Sequence, residues 1–337
     1  MSSNSSKSPK KILIIKLSAL GDVIHTLPVP RTLRQEYPDA YIAWMIEERY
    51  QELLYNNPDI DEIITIRTKV WRKNWNKKTF NEILQTIKNL RQKKFEIVFD
   101  LHGLIKSSII VMLSGAKTKI GFHKNNCKEK ISSIFTNKKG PYMAGGIHVV
   151  DMYLTLVQSA LGVKTDVKQF PICIPEAQEQ KIEGFFQNHP ELTANPIIGI
   201  NPGAGFESKL WKMEKFAKLS DRITNEMSYS ILLLWGPGEE QKAKQIAKSM
   251  KEKCWIAPAT SIQESIALYK RLKLLVSCDS GPLHLCSALG VPTVSLFGPT
   301  DPVRNGAYGL QHEAVYKMLP CSCLLYTSDA ADDSLRV

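Results

Sequence analysis

Nothing in this 337-residue chain is apolar for long enough to cross a bilayer. The run Ile12 to Ile15 is too short for a secretory signal, and Lys16 follows it at once. A cytoplasmic protein is the expectation. The G-x-G-x-x-G fingerprint of dinucleotide sites is missing. So are an RNP motif, zinc-finger spacing and a basic zipper, which disfavours nucleic acid as a partner. No acidic pair is read as a metal-binding D-x-D motif, and no obligatory metal ion is expected. The seven cysteines lie mostly singly in apolar segments, as reduced thiols do; Cys321 and Cys323 are the close pair.

What the chain does have is positive charge. Lys and Arg number 44 against 33 Asp and Glu, a formal net charge of +11. That calls for an anionic partner: a phosphorylated substrate, an acidic lipid surface or nucleic acid. The length suits two domains. Strand-like apolar runs alternate with helix-like periodic segments from Lys11 to Leu161, and again from Ile197 to Phe297. Between them lies a polar stretch punctuated by Pro171, Pro175, Pro190 and Pro196. The expected organisation is a disordered start at 1–10, an α/β domain at 11–165, a linker at 166–196, a second α/β domain at 197–323 and a tail at 324–337. Each α/β domain is expected to be a Rossmann-like parallel sheet with helices on both faces.

Three stretches carry candidate chemistry. In the first, Leu274 to Cys278 reads as a buried strand. Asp279, Ser280, Gly281 and Pro282 then read as a helix start, Gly290 and Pro292 as a helix stop, and Thr293 to Phe297 as a second strand. A helix start at the carboxyl end of a parallel strand suits a phosphorylated ligand, although a capped βαβ unit has the same spelling. His284, in the first helical turn, could reach such a ligand. In the second, the strand Lys11–Ser18 runs into Asp22, which either caps the following helix or faces a ligand. In the third, Arg67 to Lys78 is a dense basic loop with Trp71 and Trp75 interleaved. It is either a solvated charge run or a site for phosphate or carboxylate groups.

Taken together, Lys16-Leu-Ser-Ala-Leu-Gly-Asp-Val23, Lys209-Leu-Trp211 after a small-residue loop, Asp279-Ser-Gly-Pro-Leu-His284 and Ala288-Leu-Gly-Val-Pro292 resemble the lipopolysaccharide heptosyltransferases of glycosyltransferase family 9. The resemblance runs from about Lys11 to Cys323. Trp71-Arg-Lys-Asn-Trp75 and Asp100-Leu-His-Gly-Leu-Ile-Lys-Ser107 look most like the first heptosyltransferase of the inner core. The tail from Leu324 to Val337 fits nothing before it and resembles read-through of a sequencing adapter.

The resemblance implies a GT-B fold, two Rossmann-like domains facing a cleft, with the acceptor on the first and the nucleotide sugar on the second. It implies an inverting transfer of L-glycero-D-manno-heptose from ADP-heptose to the Kdo of Kdo-lipid A, with no cofactor. The alternative is a relative acting on another core acceptor, like heptosyltransferase II, or using another nucleotide sugar. Asp22 would be the base, its pKa raised by partial desolvation. Lys209 would stabilise the departing diphosphate. Gly205, Trp211, Glu239, Glu240, Asp279, Ser280, Gly281 and His284 would form the donor site, and Arg72, Lys73 and Lys128 the acceptor site. Ala204 and Gly205 stand where relatives of the first heptosyltransferase often carry hydroxyl residues beside the phosphates. A monomer on the cytoplasmic face of the inner membrane, in peripheral contact with its anionic surface, completes the expectation.

Overall fold

A computed structural model of the protein describes residues 9–163 and 167–317. Most of the expected disordered start, the pair Cys321 and Cys323, and the tail lie outside the described residues. The chain divides at Pro171 and Ile172 into two compact units.

The first unit is built on six parallel strands: β1 (Lys11–Ile15), β2 (Tyr41–Glu47), β3 (Glu62–Ile66), β4 (Ile97–Asp100), β5 (Thr118–Gly121) and β6 (Lys138–Lys139). Their order is β3-β2-β1-β4-β5-β6. The chain winds outward in one direction from β1 and in the other from β4, so the switch point lies between these two central strands. β1 is buried along Ile12–Ile15, and β2 from Ile42 to Glu47. Covering a parallel sheet on both faces requires this near-continuous apolarity. Leu13, Ile15, Ala43, Met45 and Val98 anchor one core cluster, against which Trp71 packs.

Two local expectations are corrected here. The segment after β1 is two helices, Leu20–Ile24 and Pro28–Glu36, because Pro28 and Pro30 have no N–H to continue the first one. Asp22 lies inside the first helix, whose N-cap is Ala19, so capping does not explain it. The basic stretch after β3 is partly ordered: Thr68–Lys73 is helical, and Asn76 caps a second helix at Lys77–Gln92 through a bond from the Thr79 N–H.

The second unit repeats the plan. Its strands are β7 (Ile197–Asn201), β8 (Ser230–Leu233), β9 (Cys254–Ile256), β10 (Leu274–Cys278), β11 (Thr293–Phe297) and β12 (His312–Tyr316). All pairings are parallel, in the order β12-β11-β10-β7-β8-β9, with the switch point between β7 and β10. The S-x-x-E spelling at Ser261 forms a reciprocal capping box with Glu264 at the start of helix Ile262–Tyr269. The proline-rich stretch read as a linker contains two helices, Glu176–Gln187 and Pro190–Thr193, and the first packs on Ile262–Tyr269.

Candidate active site

In each unit the polar side chains singled out by the sequence gather at the carboxyl rim of the sheet. In the first unit Asp22 and its partners sit at the β1/β4 switch point. Lys16 is the first residue after β1 and is 1 % exposed. Its ammonium donates to the Leu101 carbonyl at 3.0 Å and the Tyr153 hydroxyl at 2.6 Å, and lies 3.7 Å from Asp22 Oδ2. Lys128 Nζ lies 3.5 Å from the same Asp22 oxygen. Burial alone would raise the Asp22 pKa, as the sequence reading expected. The attraction of Lys128, then Lys16, outweighs it and holds the carboxyl well below the ordinary carboxylate range. The expected upward shift is therefore corrected to a downward one. Burial in turn pushes the Lys16 ammonium down to about 8, with Asp22 opposing the shift.

The β4 end is held by the carboxylate of Asp100, which the sequence offered as part of a motif but without a role. Asp100 accepts from the backbone N–H groups of His102 and Gly103, both at 3.1 Å, and from the hydroxyls of Ser107 at 2.9 Å and Ser108 at 2.7 Å. Gly103 takes φ +67°, a conformation side chains resist, and a Cβ there would lie 3.6 Å from the Lys128 backbone nitrogen. This turn brings His102 within electrostatic range of Asp22. His102 is buried, and neither ring nitrogen has a hydrogen-bond partner among the described residues. Burial, then Lys16, Lys106 and Lys128, push its pKa well below the usual histidine value, so the ring is neutral.

Of the acceptor-side candidates, Lys128 alone is placed against Asp22. Arg72 and Lys73 end the Thr68–Lys73 helix, which follows β3, two strands from β1 on the same rim. The two tryptophans between which they lie separate in role. Trp71 Nε1 donates to Glu82 at 3.1 Å, whereas Trp75 is exposed and lines a groove of about 330 Å³ with Asn76, Lys77, Phe80 and Asn81. Asp59-Ile60-Asp61 has the D-x-D spelling that the sequence reading passed over. Asp59 pairs with Arg31 at 3.1 Å and Asp61 with Arg34 at 2.6 Å.

In the second unit the β7/β10 switch point carries the other set. Lys209 Nζ lies 2.8 Å from Asp279 Oδ2, which also accepts from the Thr300 hydroxyl at 2.8 Å. His284 Nε2 lies 3.4 Å from Asp279 Oδ1, and the ring is buried against this carboxylate rather than turned outward. Burial opposes ionisation of Asp279, but the His284 bond and Lys209 overcome it and hold the carboxyl below its ordinary range. Ser280 is the N-cap of helix Gly281–Ala288, yet its hydroxyl makes no cap bond. It faces the Asn201 amide and the Ser277 hydroxyl, each at 3.0 Å. Asn201 also reaches Ser277 and the Gly203 carbonyl, tying the loop after β7 to the end of β10. Sequence reasoning did not single out Asn201.

Glu239, at the start of helix Glu240–Ser249, places its carboxylate where a Cβ on Gly203 would stand. The loops after β7 and β8 therefore meet. Glu240 instead pairs with Lys244 at 2.6 Å on that helix. Trp211 sets its ring edge-on to Phe216 at 5.1 Å, half-buried against the core. Gly205 lies in the loop after β7, with open space where a Cβ would be.

Two doubly wound Rossmann-like units in one chain are the architecture of the GT-B fold, which glycosyltransferases of this class share. Residues 66–331 match glycosyltransferase family 9 (heptosyltransferase). The chain belongs to that family. Lipopolysaccharide heptosyltransferase 1 of Pseudomonas aeruginosa is 28 % identical over 94 % of this chain and 87 % of its own. The Campylobacter coli protein of the same name is 31 % identical over 88 % and 86 %. The E. coli heptosyltransferase WaaC, solved with ADP, matches with a TM-score of 0.77 at 26 % identity, over 96 % of this chain and 98 % of that one.

Proposed function

We propose that the protein moves heptose from ADP-heptose to the Kdo of Kdo-lipid A, with inversion at the anomeric carbon. The observation that carries the reading is the Asp22 carboxylate at the β1/β4 switch point, gripped by Lys128 and Lys16. The names of the relatives, lipopolysaccharide heptosyltransferase 1, support the donor sugar and the pathway.

In the step itself, the acceptor hydroxyl oxygen attacks C1 of the heptose from the face opposite the diphosphate. The C1–O bond breaks with oxocarbenium character, its electron pair leaves with ADP, and the hydroxyl proton passes to Asp22. A carboxylate held this far down is a weak base, so it takes the proton late, once the attacking oxygen is already positive. Lys128 has a second role beside Asp22: a cation there attracts the Kdo carboxylate. Negative charge grows on the leaving diphosphate. Lys209 and the N–H groups at the start of helix Gly281–Ala288 are suited to stabilise it, with Gly205 leaving room for phosphate oxygens. Asp279, already paired to Lys209, positions that ammonium and shapes the pocket. Glu239 hydrogen-bonds the ribose or adenine. Arg72 and Lys73 attract the anionic acceptor from the β3 edge. The protein works as a monomer on the cytoplasmic face of the inner membrane, touching its anionic surface.

Mass spectrometry of Kdo-lipid A incubated with the protein and ADP-heptose should show one added heptose. Transfer to an already heptosylated core but not to Kdo-lipid A would replace this acceptor, and transfer from UDP- or GDP-sugars alone would replace the donor.

A further inference from the structure

Helix Ile105–Leu113 packs one face on the first unit's sheet, through Ser107, Ser108 and Val111. Its opposite face is apolar and in water: Ile105, Ile109 and Met112, at i, i+4 and i+7, are all exposed. A 3-10 turn at Lys130–Phe135 packs beside this helix and adds Ile131, 61 % exposed, and Ile134, 69 % exposed. The two elements are joined where the Glu129 carboxylate accepts from the Ile105 N–H. Five large exposed aliphatic side chains on two adjoining elements exceed the scattered apolar exposure that any surface carries.

The surrounding charge says what covers it. Lys106 and Lys130 lie on these two elements, and Lys124 lies on the short turn Lys124–Asn126 that packs against the second; the one acidic residue between 105 and 148 is Glu129. A protein partner or a second copy of the chain would bury apolar side chains without needing so one-sided a field. An anionic bilayer needs both parts: lysines for the headgroups, aliphatic side chains for the acyl boundary beneath them. We propose that this face is the membrane-docking surface, seating Ile109, Met112, Ile131 and Ile134 at the headgroup–acyl boundary of a bilayer containing anionic lipid. Lys128, beside Asp22, is two residues from Lys130, so docking holds the first unit's site at the height where a lipid-linked sugar begins. The choice of a bilayer rests in part on the acceptor proposed above, and it adds which face does the seating.

Sedimentation with vesicles that carry no Kdo-lipid A tests the surface separately from catalysis. Wild-type protein should sediment with phosphatidylcholine vesicles containing phosphatidylglycerol, and salt should release it. The pair Ile109→Ser and Ile134→Ser should weaken vesicle binding about tenfold, with thermal stability unchanged. The pair Lys124→Glu and Lys130→Glu should weaken it by a similar factor and flatten its salt dependence. Indifference of the wild type to anionic vesicles would overturn the proposal. So would serine variants that bind as well as wild type, or a wild-type dimer in sedimentation velocity that the serine variants abolish. Vesicle binding without heptose transfer would leave the docking surface standing and remove the functional reading; transfer without vesicle binding would do the reverse.

Discussion

The ammonium of Lys128 lies 3.5 Å from a carboxylate oxygen of Asp22, a residue 106 positions earlier in the chain. Among the charged groups around Asp22 it is the strongest force keeping the carboxyl ionised. Lys128→Met should let the Asp22 pKa rise toward its ordinary value. The acid limb of the pH profile for kcat/KM should move to higher pH, and acceptor KM should rise. Because the folded pKa is depressed, the stability this pair contributes is present above about pH 4 and lost as pH falls further. The stability gap between wild type and variant should therefore narrow in acid. An unmoved acid limb would remove Lys128 as the group that sets the charge of Asp22.

Asp22→Asn keeps the shape of the side chain and removes its ability to take a proton. A general base contributes about 10²–10⁴-fold, so turnover should fall by that order while ADP-sugar affinity, measured calorimetrically, stays within about twofold. Turnover close to wild type would mean another group accepts the proton.

Lys16 couples this cluster to stability on the alkaline side. Its pKa is about 8 in the fold against 10.5 for a free lysine. Below pH 8 both states carry the proton, and the cost of burying the charge is present in full. Between about pH 8 and 10.5 the unfolded chain binds more protons, so stability should rise with pH, by up to about 3 kcal/mol from this group. Denaturant melts of wild type and Lys16→Met across that range should show the rise only in the former. Parallel curves would mean that Lys16 is not titrating there.

How much of this was legible depends on how local each feature is. β1, β2, β7 and β10 announce themselves as apolar runs because their strands are covered on both faces. The capping box at Ser261 is written in four residues and forms as spelled. The Thr68–Lys73 helix was hidden because it buries none of its residues fully and sets Trp71 alone against the core, too little for an apolar period. β12 was hidden because this edge strand is exposed along most of its length. Within the site, Asp22, Asp279 and Lys209 could be named from motifs, but their partners could not. The grip of Lys128 on Asp22 depends on the turn that Asp100 holds after β4, and the reach of Asn201 to Ser280 on β7 lying beside β10. Lys16 was readable in principle: a lysine closing an apolar strand is either the point where the strand leaves the core or a buried charge with a task.

The Lys209–Asp279 pair should respond asymmetrically to mutation. Asp279 is the more buried partner, and Lys209→Met leaves its anion held, among the described residues, by Thr300 and His284. Asp279→Asn leaves an ammonium that can turn toward solvent. Removing one partner of a buried pair costs about 3–5 kcal/mol when the other stays trapped. The Lys209 variant should therefore lose more stability at pH 7 than the Asp279 variant. A double-mutant cycle should give a coupling energy of about 1 kcal/mol or more. Equal losses with no coupling would show that the pair is held by its surroundings and not by its own attraction.

Gly203 offers a way to move one proposed donor contact without touching the core. A Cβ at this position would occupy the space taken by the Glu239 carboxylate, and the obstructing atoms are the far end of a flexible side chain. Gly203→Ala should therefore cost little stability, since Glu239 can swing away. In doing so it gives up the place from which we propose that it bonds the nucleotide. ADP affinity should fall about tenfold, the loss of roughly one hydrogen bond to a charged group, while the melting temperature changes by no more than a few degrees. Glu239→Gln should cause a similar loss without the alanine, and combining the two should add little, because both act through one carboxylate. Full ADP affinity in Gly203→Ala would place the nucleotide away from Glu239. A large drop in melting temperature would mean instead that Glu239 cannot give way.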